Sequence, residues 1–443
     1  MYTVGLYTLG CKVSQYETEA VGEEFERRGF EVRSSTEVCD VYVINTCTVT
    51  AESDRKSRQF IRRAIKKNPD AIVMVMGCYS QRAPEEVAKI CGVSAVVGTE
   101  NKLTLVPIAE KLLEEKTQGK ALEKHVSTTD VTKATFENMC IRRAPRTRAY
   151  VKIEDGCESK CTYCAISAAR GRVRSKKRED VIFEVEALHD SGVREIVLTG
   201  IETASYGRDF SEKYGLADLI CELDERKSAE RIRLGSLAPE LIDEKFVARV
   251  RDIGILAPHF HLSIQSGSSS VLRRMKRRYN AERAMAVINN IRANIPGATF
   301  TTDLMVGFPG ESEEEFSETV EFVKAARFLD AHVFAYSQRE GTPAATYENQ
   351  VPEDVKRKRS AELISVKNAV RDAVLDEIVN SGEQLVAIAE ARASDSFYSG
   401  HTEKFVEVRF FSDNEDLSGE IVNLVPVSHK DGIVLCKMIE KYK

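Results

Sequence analysis

Residues 149–171 read AYVKIEDGCESKCTYCAISAARG, a strand-like run followed at once by Cys157, Cys161 and Cys164 at the spacing C-x3-C-x2-C. Three cysteines this close lie on one short loop, so their thiolates can converge on a single cofactor. Such a set suits iron–sulfur clusters and also zinc, because both favour several sulfurs around tetrahedral metals. Three protein ligands leave one iron of a cubane open to a cosubstrate. Half of a zinc site, completed by a distant His or Cys, is the other reading of the same spacing.

Outward from this loop, strand-like runs recur as AYVKI, REIVLTG, RIRLG, HFHLSI, TFTTDLMV and AHVFAYS, separated by helical stretches such as EDVIFEVEALHDSG and AERAMAVINNIRAN. Six consecutive βα units predict a partial (β/α)6 barrel, too few for a closed eightfold one. Toward the amino terminus, TVGLYTL, VYVINT, AIVMVMG and AVVG alternate with charged helices, the pattern of a parallel α/β sheet. Cys11, Cys47 and Cys78 each fall just beyond the carboxyl end of one of these strands. In an open α/β sheet those ends share one edge, where ligands bind. One such cysteine reads as a small buried hydrophobe, but three at equivalent positions point to a second ligand set. Cys39, Cys91, Cys140, Cys221 and Cys436 lack such placement and read as core packing or incidental exposure.

The intervening stretch is polar, residues 352–381 form a charged helix, and the tail carries short alternating runs (QLVAIAEAR, KFVEVRFF, GEIVNLVPVS, GIVLCKMI) expected of a small antiparallel β-barrel. The expected fold class is therefore α/β, divided as 1–115 for the parallel-sheet domain, 116–142 for a linker, 143–375 for the partial barrel and 376–443 for the β-barrel.

A chain of 443 residues exceeds one hydrophobic core. Hydrophobic content of 42% and charged content of 30% describe an ordinary globular protein. MYTVGLYTLGCK is no signal peptide, and AIVMVMG falls far short of the ~20 residues that span a bilayer, so no membrane partner and a cytoplasmic location are expected. In that compartment eleven cysteines serve metal, redox or packing rather than disulfides. The net charge of -5 gives no global attraction to phosphate, which leaves nucleic-acid contacts to the basic runs 142–148, 170–178, 273–278 and 356–359. RGRVRSKKR at 170–178 directly follows the cysteine loop and is the first choice for steering an RNA. No P-loop or H-E-x-x-H pattern is present.

LYTLGCKVSQYETE, VINTCTVT, MGCYSQ, KIEDGCESKCTYCAIS with ARG after it, HLSIQSGSSSVLRRMKRRY, DLMVGFPGE and the tail GHTEKFVEV together resemble the radical-SAM methylthiotransferase family over almost the whole chain. LGCKVSQYETE is similar to the MtaB type, which converts N6-threonylcarbamoyladenosine at tRNA position 37 to its 2-methylthio derivative. The resemblance implies two 4Fe-4S clusters, one on Cys157, Cys161 and Cys164 that binds S-adenosylmethionine (SAM), and an auxiliary one on Cys11, Cys47 and Cys78. No catalytic side chain beyond the clusters is implied, since the cofactor carries the chemistry at an unactivated aromatic C–H. It further implies a C-terminal TRAM domain, the tRNA anticodon loop as partner and a flavodoxin- or ferredoxin-like electron donor; the sequence does not give the oligomeric state, for which a monomer is the expectation. Two departures stand out: AISAARG lacks the aromatic or proline usual before ARG, and His401, Lys404 and Phe405 partly replace the usual TRAM residues.

Ser236, Gln265, Ser266 and Asp303, near the ends of later barrel strands, are candidate SAM contacts, with Glu202 a candidate for the SAM ammonium. Ser and Asp also serve routinely in caps and turns. Alternatives are a methylthiotransferase acting on isopentenyladenosine-37 of tRNA or on a ribosomal protein, and, outside enzymes, a zinc-bearing RNA-binding protein.

Overall fold

VYVINT and IVMVMG carry β-branched and apolar residues at nearly every position, the pattern of strands covered on both faces, and both are buried throughout. In the computed structural model, which describes residues 1–144, 147–392, 396–412 and 416–441, they are the centre of an all-parallel six-stranded sheet. Its strands are β1 (Thr3–Thr8), β2 (Glu31–Ser34), β3 (Val41–Thr46), β4 (Ile72–Gly77), β5 (Val93–Val97) and β6 (His125–Ser127), in the spatial order β2-β1-β3-β4-β5-β6. The helix Lys12–Arg27 turns Val13, Tyr16, Ala20, Val21 and Phe25 inward, at the spacing of one helical face. Thr50 caps the helix Ala51–Lys67 by accepting from the Ser53 amide. The polar stretch 116–142 supplies β6, which pairs with β5, and buries Met139 and Ile141. The Tyr16 hydroxyl donates to the Met139 carbonyl at 2.6 Å.

The chain divides into two compact units, the first comprising Met1–Ile141, Glu154–Lys176 and Ser337–Ala345, the second Arg142–Ile153, Lys177–Tyr336 and Thr346–Lys443. The first therefore holds both the six-stranded sheet and the loop with Cys157, Cys161 and Cys164. That loop is closed at its base by a short antiparallel ladder of Glu154–Asp155 with Arg174–Ser175.

In the second unit, β7 (Arg148–Lys152), β8 (Glu195–Thr199) and β9 (Arg231–Leu234) form one parallel sheet. A break at Gly235 starts β10 (Ser236–Leu237), which continues through β11 (His259–Gln265), β12 (Thr299–Val306) and β13 (Asp330–Ala335). Among the described residues β7 and β13 each have one strand neighbour, so the series is an open barrel, as six βα units predict. Ser312 and Glu315 form a capping box on the helix Glu313–Ala326.

The long helix Glu353–Ser381 ends at Gly382 in the left-handed region. After it come β14 (Leu385–Arg392), β15 (Phe397–Thr402), β16 (Glu407–Phe411), β17 (Ile421–Lys430) and β18 (Ile433–Lys441), a closed barrel in the order β14-β15-β16-β18-β17. Its core of Tyr398, Val408, Phe410, Leu424 and Val434 is continuous with Leu375 of the long helix and Leu329. Four strand-like runs are visible in the tail sequence, whereas the barrel has five strands. The fifth is FYSGHT, whose Gly400 hides the pattern: a Cβ there would lie 2.1 Å from the Ile388 carbonyl oxygen, so the close approach of β14 demands glycine.

Candidate metal centre

β1, β3 and β4 are adjacent in the first sheet, so the segments carrying Cys11, Cys47 and Cys78 leave it side by side at its carboxyl edge. Cys11 is the N-cap of the helix Lys12–Arg27. Gly10, at φ +123°, precedes it where a Cβ would stand 3.1 Å from the Cys47 Cβ, so glycine lets the two cysteine segments meet. Cys47 and Cys78 are buried while Cys11 is exposed. Burial pushes the Cys47 thiol up, with the charge of Cys11 adding to it. Cys78 is pushed up to about 12 by burial, with the Arg170 cation opposing and Cys47 and Cys11 adding. A thiol so raised keeps its proton at neutral pH unless a metal takes its place.

In the loop Cys157–Cys164, the Ser159 amide donates to the Cys157 sulfur and the Ile166 amide to the Cys164 sulfur, both at 3.4 Å. The Val49 amide does the same for Cys47 at 3.5 Å. Sulfurs already facing N–H donors fit an anionic iron–sulfur cluster, whose thiolates such donors stabilise. Among the described residues no three Cys, His, Asp or Glu side chains close on a single metal ion; a cubane instead spreads its cysteines over three separate irons.

A buried ionic network absent from the sequence reading underlies both sets. Arg170, fully buried, donates from Nε to the Cys78 sulfur at 3.2 Å, from Nη1 and Nη2 to Glu17 at 2.7 and 3.0 Å, and from Nη1 to Asp155 at 3.0 Å. Lys102, also buried, lies 3.5 Å from Glu17 and 2.6 Å from Glu137. Arg339 of the segment Ser337–Ala345 pairs with Asp54 at 2.9 Å and donates to the carbonyl of Thr48, the residue after Cys47. The Ala344 amide donates to the carbonyl of Thr162, inside the other cysteine loop.

The five candidate SAM contacts lie in the second unit, on or just after β8, β10, β11 and β12. Glu202 is buried and accepts from the Ala238 amide at 3.0 Å. Its carboxyl is raised to about 7 by burial, with Glu240 adding and the Ala238 amide and Arg277 opposing. Ser236 is in register with His261, whose Nε2 lies 3.3 Å from Asp303 Oδ2. These three side-chain positions therefore meet across neighbouring strands. Gln265 closes β11 at φ +70°, an uncommon conformation for a non-glycine residue. Ser266 is engaged elsewhere: its hydroxyl lies 3.2 Å from that of Thr319 and accepts from the Ser268 amide. His261 was not among the expected residues. The i, i+2 repeat in HFH marks it, since His259 and His261 share one strand face and both bond the Thr301 hydroxyl at 2.9 Å.

The basic runs are corrected by burial. In RGRVRSKKR, expected to steer RNA, Arg170, Arg174 and Lys176 are buried. Arg174 donates to carbonyls of Thr135, Arg170 and Arg172, and Lys176 to that of Met139, so half of this run's cations hold the fold. In 356–359, Lys356 and Arg359 are buried, Arg359 pairing with Glu311 and Glu313 at 2.8 Å. By contrast, 273–278 exposes Arg273, Lys276 and Arg278. Of 142–148, Pro145 and Arg146 lie outside the described residues, as do 393–395, 413–415 and 442–443 of the C-terminal segment.

Residues 151–323 match the Radical SAM superfamily, and residues 3–98 match Uncharacterized protein family UPF0004. The chain is 40% identical, over 96% of its length and 93% of the relative's, to threonylcarbamoyladenosine tRNA methylthiotransferase MtaB of Bacillus subtilis (strain 168). The protein of the same name from Aquifex aeolicus (strain VF5) is 39% identical over 87% of this chain and 92% of its own. The tRNA-2-methylthio-N(6)-dimethylallyladenosine synthase of Natranaerobius thermophilus is 34% identical over 94% and 92%. Among solved structures, the radical S-adenosylmethionine methyltransferase TsrM from Kitasatospora setae, with cobalamin and a 4Fe-4S cluster bound, shares the fold at TM-score 0.59 and 16% identity, covering 78% of this chain and 77% of its own. Cysteines gathered on one compact unit, an open radical-SAM-type barrel, and 40% identity along nearly the entire length lead to one assignment: the chain belongs to the MtaB family of radical SAM methylthiotransferases, enzymes that use SAM and 4Fe-4S chemistry.

Proposed function

We propose that this enzyme converts N6-threonylcarbamoyladenosine at position 37 of tRNA to its 2-methylthio derivative. The observation that carries this reading is near-full-length identity of 40%, 39% and 34% to three relatives named for that substrate. Two clusters are part of the proposal: Cys157, Cys161 and Cys164 would hold the one that binds SAM, and Cys11, Cys47 and Cys78 would hold an auxiliary one. When bound, these groups would supply the radical that activates C2–H of the adenine and the sulfur that replaces the hydrogen, with a second SAM as donor of the methyl group on that sulfur.

The chain's own residues hold and orient. Backbone amides of Val49, Ser159 and Ile166 donate to the ligand sulfurs. Glu202, Ser236, Gln265 and Asp303 bind the polar ends of SAM, and Ser266 fixes the turn that presents Gln265. Residues 376–443, whose described part includes the closed barrel, act as the TRAM domain on the anticodon loop, 143–375 as the radical SAM core and 1–115 as the auxiliary-cluster domain. A flavodoxin- or ferredoxin-like protein supplies electrons.

Nucleoside mass spectrometry of tRNA from cells with and without the gene tests the substrate. Loss of 2-methylthio-threonylcarbamoyladenosine is expected; loss of the 2-methylthio-dimethylallyladenosine signal instead would reassign it. Anaerobically reconstituted protein should carry about eight irons, falling by half when either cysteine triplet is changed to alanine.

A further inference from the structure

Arg170 ends the short helix Ile166–Arg170 that follows Cys164, yet it bonds a sulfur of the other cysteine set. Its Nε–H points at Cys78 Sγ from 3.2 Å. The two Nη ends of the guanidinium are held by Glu17 and Asp155. Glu17 lies on the helix that begins directly after Cys11, and Asp155 stands two residues before Cys157. The planar fork is thus clamped by carboxylates that also face Lys102 and Arg174, at 3.5 and 3.6 Å. Satisfying two buried carboxylates requires only the Nη ends. Nothing in that pairing requires Nε to face a thiol, and with three of its bonds fixed the guanidinium has no freedom to turn away from it.

We propose that Arg170 is a positioning residue for the auxiliary cluster: its Nε–H hydrogen bond persists on the Cys78 thiolate and raises that cluster's reduction potential. The inference rests on the reading that Cys11, Cys47 and Cys78 hold that cluster. A reduced cluster carries one more negative charge than an oxidised one, so a fixed donor and a permanent cation beside its sulfur favour the reduced state. Hydrogen bonds to sulfur and local charge are among the main settings of iron–sulfur potentials.

The test uses full-length protein with Cys157, Cys161 and Cys164 changed to alanine, reconstituted anaerobically, so that the remaining paramagnetic signal belongs to one cluster. Redox titration followed by electron paramagnetic resonance is compared among this parent, R170K and R170Q. R170K keeps a cation without the planar donor, and R170Q removes the charge. At fixed potential the reduced-to-oxidised ratio is expected to fall about tenfold in R170Q, a shift of ~59 mV to more negative potential for a one-electron couple, with R170K between. Unchanged midpoints at unchanged iron content would overturn the proposal. Because both variants remove the guanidinium fork from Glu17 and Asp155, and R170Q removes its charge as well, either can fail to fold, so a second measurement needs no substitution at Arg170. In protein labelled with 15N-arginine, pulsed spectroscopy of the reduced cluster should detect a guanidinium nitrogen coupling, and its absence also overturns the proposal. Failure of the underlying reading looks different: the parent would hold no iron, or would keep its iron after C78A.

Discussion

Glu202 holds a carboxyl that burial raises to about 7, at a strand end in the second unit. In the unfolded chain a glutamate titrates near 4.3. Between those values the folded protein binds the extra proton, so stability falls as pH rises through the window and stays reduced above it. E202Q lacks this loss. Relative to wild type it should gain up to about 3 kcal/mol between pH 5 and pH 8, at ~1.4 kcal/mol for each unit of displacement, read as diverging urea midpoints. If the two curves run parallel, burial is not acting on Glu202. The proposed contact with the SAM ammonium gives a second readout. A cation beside Glu202 favours the charged carboxylate, so binding releases a proton, and SAM affinity should rise from pH 6 to pH 8 in wild type but not in E202Q.

Strand ends also hold the second unit together. Glu195, at the start of β8, is fully buried and faces Arg148, Arg231 and Arg233 at 2.9, 3.3 and 3.0 Å. Although burial alone would raise it, those three cations hold its carboxyl well below the usual range. Arg233 continues to the carbonyls of Thr402 and Glu403, joining the open barrel to the closed one. E195Q leaves three arginines without their common anion, and a broken buried ion pair costs roughly 3–5 kcal/mol. A fall of that size in unfolding free energy is expected, whereas a loss below about 1 kcal/mol would show that the arginines find other partners. The same scale explains which strands escape a sequence reading. VYVINT and IVMVMG declare themselves because both faces are covered, while EVRS (β2) and HVS (β6) are short, polar edge strands whose pairing alone defines them.

Across the whole molecule, net charge gives no attraction to tRNA, so the exposed cations decide. Arg273, Lys276 and Arg278 are exposed on 273–278, whereas Arg170, Arg174 and Lys176 are buried within 170–178. R273Q/K276Q/R278Q should weaken tRNA binding and flatten the dependence of log K on log salt by up to about 2–3, at ~0.7–0.9 for each phosphate that is no longer neutralised. An unchanged slope would take this segment out of the RNA-binding surface. Among the described residues no helix is long and apolar enough to cross a membrane.

The sequence by itself determined the cysteine spacing of the loop, the placement of three further cysteines after parallel strands, and the order of sheet, open barrel and closed barrel. These are local properties: periodicity, and the residue type at an element's end. Only the tertiary structure decided that a basic run turns inward, that Ser266 serves a turn, that His261 joins Asp303, and that Arg170 serves a cysteine outside its own loop. Each of these depends on partners far apart in the chain, 92 residues for Arg170 and Cys78 and 153 for Arg170 and Glu17. Whether a charge is solvated or buried and paired is set by what the fold brings against it, and no local pattern carries that information.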